Sequence, residues 1–267
     1  PSFVKGGEQE DKRRAGTENI PAIAGFATAI NEYWPEGSER FDLVWSSYAG
    51  KRRQPLWWAL SALLLSQMGY RILVHGTLAH TEGRVYAHEV FQALKLPTAT
   101  AASLSKCEDS LIYLPCSEIH ESLQKWLSLK PILGVRTPIN TVLKTIAPHG
   151  VPSVQGIYHP DYRTTHSVAA EIKQETAAII KGDGGEFEVN PELPCQATLM
   201  VEGEEAHLRI ANDRSEYEDK ARSPNTEHLI RHWQGVEHSS YGHDAVLRTA
   251  ALALCAMLKS TDYVAAL

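Results

Sequence analysis

A run of three cations follows a small, polar segment in this sequence, in the arrangement that phosphate sites use. The segment SSYAG, at 46–50, leads directly into Lys51, Arg52 and Arg53. It lies between an expected strand and an expected helix, where free backbone N–H groups can bind an anion. The residues therefore suggest a phosphate or nucleic-acid site. A solvated basic turn is the alternative, because the segment contains only one glycine.

A cluster of acidic residues follows another expected strand. In IIKGDGGEFEVNP, glycines surround Asp183, and Glu186 and Glu188 come directly after them. Carboxylates at a strand end can hold Mg²⁺, partly through water, and the ion can then recruit a diphosphate. Glu186 and Glu188 are therefore candidate metal ligands, with an acidic, solvated turn as the alternative.

A histidine and a glycine end a third apolar run, ILVHG. Polar turns at strand ends are usual ligand positions in open α/β sheets. His75 could donate a hydrogen bond to a ligand oxygen, and Gly76 would allow close backbone approach. The alternative is a histidine whose hydrogen bonds are satisfied within the protein.

The elements that would position these residues alternate along the chain from Phe41. Expected strands are FDLVWSS, RILVHG, DSLIYLP, VPSVQGI and TAAIIK, and the expected helices between them include PLWWALSALLLSQMG, SEIHESLQKWLSLK and DYRTTHSVAAEIKQE. This alternation predicts an α/β domain with a mainly parallel sheet and right-handed crossovers. An extended β segment, EVNPELPCQATLMVEGEEAHLRI, and two helices complete it. Before it, IPAIAGFATAINEYW predicts a helix capped by Thr17, with Pro21 in its first turn.

Composition narrows the class of protein. The chain has 267 residues with 22% charged residues. Its net charge of −6 argues against a dedicated nucleic-acid binder, although a local basic patch could override the net charge. No apolar run reaches about 18 residues, so we expect no membrane span. The opening PSFVKGGEQEDKRR has no apolar core, which predicts no signal peptide. The four cysteines form no C-x-x-C pair, and their scatter is typical of a reducing cytoplasm.

From about Phe41 to the C-terminus, the order of the elements and a series of motifs resemble the anthranilate phosphoribosyltransferases of glycosyltransferase family three. The closest resemblance is to the divergent anthranilate phosphoribosyltransferase-like branch. The motifs include SSYAGKRRQP, ILVHG, LGVRTPINTVLKTIAP, QGIYHP and KGDGGEFEVNP. The resemblance implies a phosphoribosyltransferase/nucleoside phosphorylase-type fold over 41–267. It also implies a glycosyltransferase that uses phosphoribosyl pyrophosphate with Mg²⁺.

The family's phosphate loop, G-T-G-G-D, corresponds here to SSYAG. The resemblance therefore implies that Tyr48, Gly50, Lys51 and Arg52 contact phosphate. The family's K-H-G-N-R corresponds to 74–78, which keeps only the histidine and the glycine.

Substrate and metal residues carry over in part. His75 and Gly76 would lie on the ribosyl side. For an acidic acceptor, the resemblance implies Lys130, in place of the arginine that grips the anthranilate carboxylate, together with Arg136 and Asn140. Lysine keeps the charge of arginine but loses its bidentate fork. The family's D-E pair for Mg²⁺ is replaced by the two candidate metal ligands, 186 and 188.

These replacements weaken the phosphate loop and the metal ligands that phosphoribosyl transfer needs, since the diphosphate leaving group must be held and neutralised.

Three hypotheses for the function follow. The protein binds a phosphoribosyl pyrophosphate-type ligand with a degenerate active site, and if active it is a phosphoribosyltransferase. Alternatively, it is a non-catalytic nucleic-acid (DNA) binding protein that uses Lys51, Arg52 and Arg53. It could also be a non-functional remnant.

The first 31 residues carry a second resemblance, to the G-G-G-Q-E-x-x-x-R-A-G-T-E-N segment of cysteine desulfurases. The lysine and cysteine segments of that family have no room here, so we expect no desulfurase activity and no pyridoxal phosphate. Residues 1–40 are interpreted as a helical remnant or a fused segment. The glycosyltransferase family forms homodimers through its N-terminal helical domain, and the resemblance implies that this domain is largely missing.

Overall fold

The structure is a computed structural model that describes residues 19–78, 82–129, 132, 138–212 and 214–267. In these residues a seven-stranded sheet runs in the order β3-β2-β1-β4-β5-β6-β7. The first five strands are parallel, and the last two are antiparallel to their neighbours. The strands are β1 Leu43–Ser47, β2 Ile72–Gly76, β3 Leu111–Pro115, β4 Ser153–Ile157, β5 Ala177–Lys181, β6 Cys195–Val201 and β7 Glu204–Ile210.

Helices cover both faces of the sheet. In chain order the described α-helices are α1 Ile20–Asn31, α2 Trp58–Gln67, α3 Ala87–Ala93, α4 Cys116–Ile119, α5 Glu121–Leu127, α6 Ile139–Val142, α7 Tyr162–Lys173, α8 Thr226–Trp233, α9 Ser240–Met257 and α10 Tyr263–Ala266. None of them is long and apolar enough to cross a membrane. The four cysteines are free thiols.

The middle of the sheet contains the point where the strand order reverses. The chain runs from β1 outward through β2 to β3, and it then returns to the other side of β1 as β4. In open α/β sheets the crevice outside the carboxyl ends of strands at such a point is the usual ligand position. The segment that follows β1 is therefore central to the search for a site.

Successive residues of β1 point to opposite faces and enter two separate hydrophobic clusters. Trp45 lies in one cluster, where its ring stacks on Trp58 of α2 at a centroid distance of 5.1 Å. Phe187 packs edge-on against the same Trp45 at 5.2 Å. Val44 enters the other cluster, which also contains Ile23 of α1. The first cluster anchors the acidic segment after β5 beneath the central strand.

The structure confirms the predicted mainly parallel α/β sheet and the extended β segment, which forms the β6–β7 hairpin. Two details differ from the sequence-based expectation. The helix expected over SEIHESLQKWLSLK is divided at His120, whose backbone is extended and whose side chain accepts a hydrogen bond from Ser122 N. Asn19 is the residue that caps α1, with Pro21 in the first turn as predicted. Thr17 and the desulfurase-like segment through 18 lie outside the described residues.

Two helical glycines allow a direct test of the packing. A Cβ at Gly242 in α9 would lie 2.5–2.8 Å from the buried ring of Trp57, whereas a Cβ at Gly25 in α1 would meet nothing within 4 Å. We expect Gly242→Ala to lower the free energy of unfolding by about 1–3 kcal/mol because it overpacks the core. Gly25→Ala should raise it by about 0.5–1 kcal/mol. Urea unfolding of both variants measures this, and equal effects would contradict the packing around Trp57.

Candidate anion site at the carboxyl end of β1

Two backbone amides in the loop after β1 converge on a single acceptor. The N–H groups of Ala49 and Gly50 both donate to Oε1 of Glu186, each at 2.7 Å. Consecutive N–H groups that face one point form a concavity that binds anions. The short distances are typical of hydrogen bonds to a charged acceptor. Glu186 is 1% exposed, so its carboxylate fills this concavity from inside the protein.

The loop is held from its other side, which fixes the direction of its N–H groups. Nη1 of Arg84 donates to the carbonyls of Ala49 and Gly50 at 2.7 and 2.8 Å. Lys51 and Val85 exchange two backbone hydrogen bonds of 2.9 Å. Gly50 has a φ of +63°, and a Cβ there would lie 3.0 Å from the ring of Tyr86 and from the Val85 carbonyl. Glycine is therefore required at this position of the loop.

The backbone of Glu186 is wedged between two strand ends, which places its side chain. A Cβ at Gly182 would lie 1.6 Å from the Glu186 carbonyl oxygen, and a Cβ at Gly156 would lie 2.2 Å from the Glu186 carbonyl carbon. Nζ of Lys144 joins the two segments by donating to the carbonyls of Gly156 and Gly185 at 2.5 and 2.8 Å. Close backbone approach at these glycines thus delivers the carboxylate to the β1 loop.

Lys51 does not face a ligand position, because its side chain is 2% exposed and its ammonium lies between two carboxylates. Nζ pairs with Glu188 and with Asp183, the latter at 2.9 Å, and Oε2 of Glu188 accepts from Trp58 N at 2.9 Å. Burial lowers the pKa of Lys51, but the charges of Glu188 and Asp183 outweigh burial and hold it above its ordinary value. Burial raises the pKa of Glu188 to about 7, although Lys51 opposes the change.

The fold therefore buries some of the predicted phosphate residues and exposes others. Tyr48 and Lys51 are buried, Gly50 donates to Glu186, and Arg52 is exposed, as is its neighbour Arg53. Of the predicted phosphate residues, the amide of Gly50 and the side chain of Arg52 are the groups placed for an anion.

His75 is fully buried, and its ring contacts other side chains of the protein. Its Nδ1 lies 2.8 Å from the Tyr48 hydroxyl, and the ring of Trp34 packs edge-on at 5.2 Å. Burial lowers the pKa of His75 to about 3, so the ring is neutral at physiological pH. Gly76 does permit a close approach, but to the Ser47 carbonyl, which would lie 2.5 Å from a Cβ there. The predicted ribosyl-side pair is thus enclosed in the sheet in this conformation.

The predicted acceptor residues are only partly described. Lys130 and Arg136 lie outside the described residues, while Asn140 is half-buried in α6. Sequence reasoning missed Arg84 and Lys144, which hold the two loops through backbone carbonyls. Both are lone basic residues in their segments, so no sequence signal separates them from surface cations.

The candidate metal ligands do not fit a preformed Mg²⁺ site. Oε1 of Glu186 accepts from two amides, and both oxygens of Glu188 have protein donors. Oε2 of Glu186 is buried and has no hydrogen-bond partner within the described ranges. No group of three His, Cys, Asp or Glu among the described residues could hold a metal ion. The structure uses these carboxylates to satisfy backbone amides and a lysine.

A cleft of about 550 Å³ lies beside the glycine-containing segment 182–185, at the carboxyl ends of β4 and β5. Gly182, Asp183 and Gly184 form one side, and Lys181 and Arg163 line it as well. Its volume lies within the range of small-ligand sites. Sequence reasoning did not identify this cleft, because its residues come from three separate segments, 158–163, 181–184 and 190–196.

Comparison of the sequence with known proteins finds a curated relative but no matching family. No known protein-family profile matches the chain. The uncharacterized protein YbiB of Escherichia coli K12 is 24% identical over 193 residues, which are 68% of this chain and 60% of YbiB. The chain thus spans less than two thirds of the length of that relative.

Solved anthranilate phosphoribosyltransferases superpose on most of the chain. The Thermus thermophilus enzyme has a TM-score of 0.69 at 19% identity, covering 94% of this chain and 78% of its own. The Saccharomyces cerevisiae enzyme in complex with phosphoribosyl pyrophosphate and Mg gives 0.69 at 16%, with coverages of 91% and 72%. Its complex with 4-fluoroanthranilate gives 0.69 at 15%, with the same coverages. The chain therefore has a phosphoribosyltransferase-type α/β fold.

The buried carboxyl of Glu188 predicts a pH dependence of stability. Its folded-state pKa of about 7 lies above the ordinary value of 4.5, so the folded state binds the proton more tightly. The stabilising contribution is complete below pH 4.5 and is lost as the pH rises through 7. We expect wild type to lose stability relative to Glu188→Gln over this window. Urea unfolding at several pH values measures the difference, with Glu227→Gln on exposed α8 as the control. A difference that stays constant with pH would contradict this environment.

Proposed function

We propose that this protein binds a phosphorylated ligand of the phosphoribosyl pyrophosphate class at the carboxyl edge of its sheet, with an active site too altered for ordinary anthranilate chemistry. The observation that carries the proposal is the pair of amides, Ala49 and Gly50, that share one carboxylate oxygen of Glu186. That oxygen stands in for a phosphate oxygen. The fold supports the ligand class, since a yeast protein of the same fold has been solved with phosphoribosyl pyrophosphate and Mg.

Different residues of the chain donate to the anion, orient the donors and attract the ligand. The Ala49 and Gly50 amides donate to the anion, and Arg84 keeps them oriented by holding the loop carbonyls. Arg52 and Arg53 are exposed next to the loop and attract a polyanion. Binding in this arrangement requires no proton transfer.

Transfer chemistry has less support than binding. A phosphoribosyl transferase must neutralise charge on the departing diphosphate. Lys51, the nearest lysine to the loop in sequence, is committed to Glu188 and Asp183, and His75 is neutral and enclosed. Because Glu186 and Glu188 do not fit a preformed Mg²⁺ site, we assign no step to the metal. These features support a ligand-binding protein derived from a transferase scaffold.

A second candidate function is nucleic-acid binding on the same fold. The observation that favours it is the exposure of Arg52 and Arg53 at the edge of the loop. Nucleic-acid binding through these cations would weaken steeply as salt rises, because counterions are released. The net charge of −6 favours the small ligand over the nucleic acid.

The proposal is tested by calorimetric titration of phosphoribosyl pyrophosphate, with and without Mg²⁺, into wild type and Gly50→Ala. A Cβ at Gly50 would collide with Tyr86 and Val85 and displace the amide, so we expect affinity to fall at least about tenfold. Gly69→Ala is the matched control. Gly69 also has a positive φ, +98°, but a Cβ there meets nothing within 4 Å.

Both variants carry a similar cost of left-handed backbone, about 1–2 kcal/mol. Only Gly50→Ala should lose the ligand. The absence of heat from folded wild type would overturn the proposal, and so would equal affinity in wild type and Gly50→Ala.

A further inference from the structure

We infer that Glu186 is an intramolecular competitor for the anion site, and that a ligand phosphate binds by displacing its carboxylate from the Ala49 and Gly50 amides. The inference rests on the proposed function, because it concerns the same two donors. It assigns Glu186 the role of selecting the ligand, in place of the metal-binding role that its position in the sequence suggests.

Occupancy of the site by Glu186 is complete. Both N–H groups point to Oε1 at 2.7 Å, and the side chain is buried. A second anion could not share these donors, because two like charges within about 4 Å repel strongly where water is excluded. Ligand and carboxylate therefore exclude each other.

The hydrogen bonding of the Glu186 carboxylate is nevertheless incomplete, which lowers the cost of displacing it from the amides. Oε2 is buried and lacks a hydrogen-bond partner among the residues that the structure describes. A buried, unsatisfied carboxylate oxygen costs free energy that is recovered when the group reaches water. Glu188, two residues away, has a partner on each oxygen and no comparable reason to move.

The two residues before Glu186 are glycines, and Lys144 holds the carbonyl of the second. These glycines, Gly184 and Gly185, have φ values of +66° and +87°. Consecutive glycines accept large changes of backbone angle at low steric cost. The cleft of about 550 Å³ is lined by Gly182, Asp183 and Gly184 of the same segment.

Competition with a built-in carboxylate sets the ligand class. An acetate-like anion gains nothing over Glu186, because it offers the same acceptor and must also lose its translational freedom on binding. Phosphate dianions and diphosphates carry more charge on more oxygens, so they are stronger acceptors for the same amides. The site should therefore accept phosphate and diphosphate groups and reject simple carboxylates.

The test is calorimetric titration of inorganic pyrophosphate, without metal, into wild type, Glu186→Gln and Glu227→Gln. Glutamine has the same shape as glutamate but is a weaker, neutral acceptor. We expect Glu186→Gln to bind at least about tenfold more tightly than wild type. Glu227→Gln removes the same charge from an exposed position on α8 and should match wild type. Acetate should give no heat with wild type.

The outcomes separate the two proposals. If wild type binds pyrophosphate and Glu186→Gln binds equally or more weakly, the competitor role is overturned and the proposed function survives. If neither folded protein binds, both proposals fail. If circular dichroism shows that Glu186→Gln is unfolded, Glu186→Asp provides the second variant. Its carboxylate is one methylene too short to reach both amides, so it should also bind more tightly than wild type, and equal or weaker binding would overturn the inference.

Discussion

A buried carboxylate needs hydrogen-bond donors, and Glu186 finds them in the backbone of the loop that follows the central strand. The interaction joins two segments 136–137 residues apart, at the point where the strand order reverses. It has the geometry of ligand binding, since two amides converge on one anionic oxygen. The two amides thus have a donor arrangement of the kind that binds anions, and here the anion comes from the same chain.

Much of the surrounding structure serves to hold this contact. Gly156 and Gly182 admit the backbone of Glu186 between two strands, and Lys144 ties that region together through carbonyl oxygens. Phe187 anchors the segment against Trp45 in the core. The next acidic residue, Glu188, reaches the amide at the start of α2. The sheet, the hydrophobic core and the start of α2 therefore all contact one short stretch of chain after β5.

The sequence predicted the layers of this fold better than the chemistry of its site. Apolar runs and their alternation with helical patterns located the strands, because both signals are local. The partners of Lys51 and Glu186 were not predictable, since they depend on how the ends of β1 and β5 meet in three dimensions. The basic run at Lys51–Arg53 looked uniform in sequence. Folding buries its first member and exposes the other two.

The central claim is that the Ala49 and Gly50 amides donate to Glu186 until a phosphate group replaces it. Amide ¹H–¹⁵N NMR of these two residues tests it most directly. Hydrogen bonds to a carboxylate shift amide protons downfield, so both signals should lie downfield in wild type and move upfield in Glu186→Gln. Pyrophosphate should return them downfield in that variant. Signals that are the same in wild type and Glu186→Gln, with no response to pyrophosphate, would contradict the account.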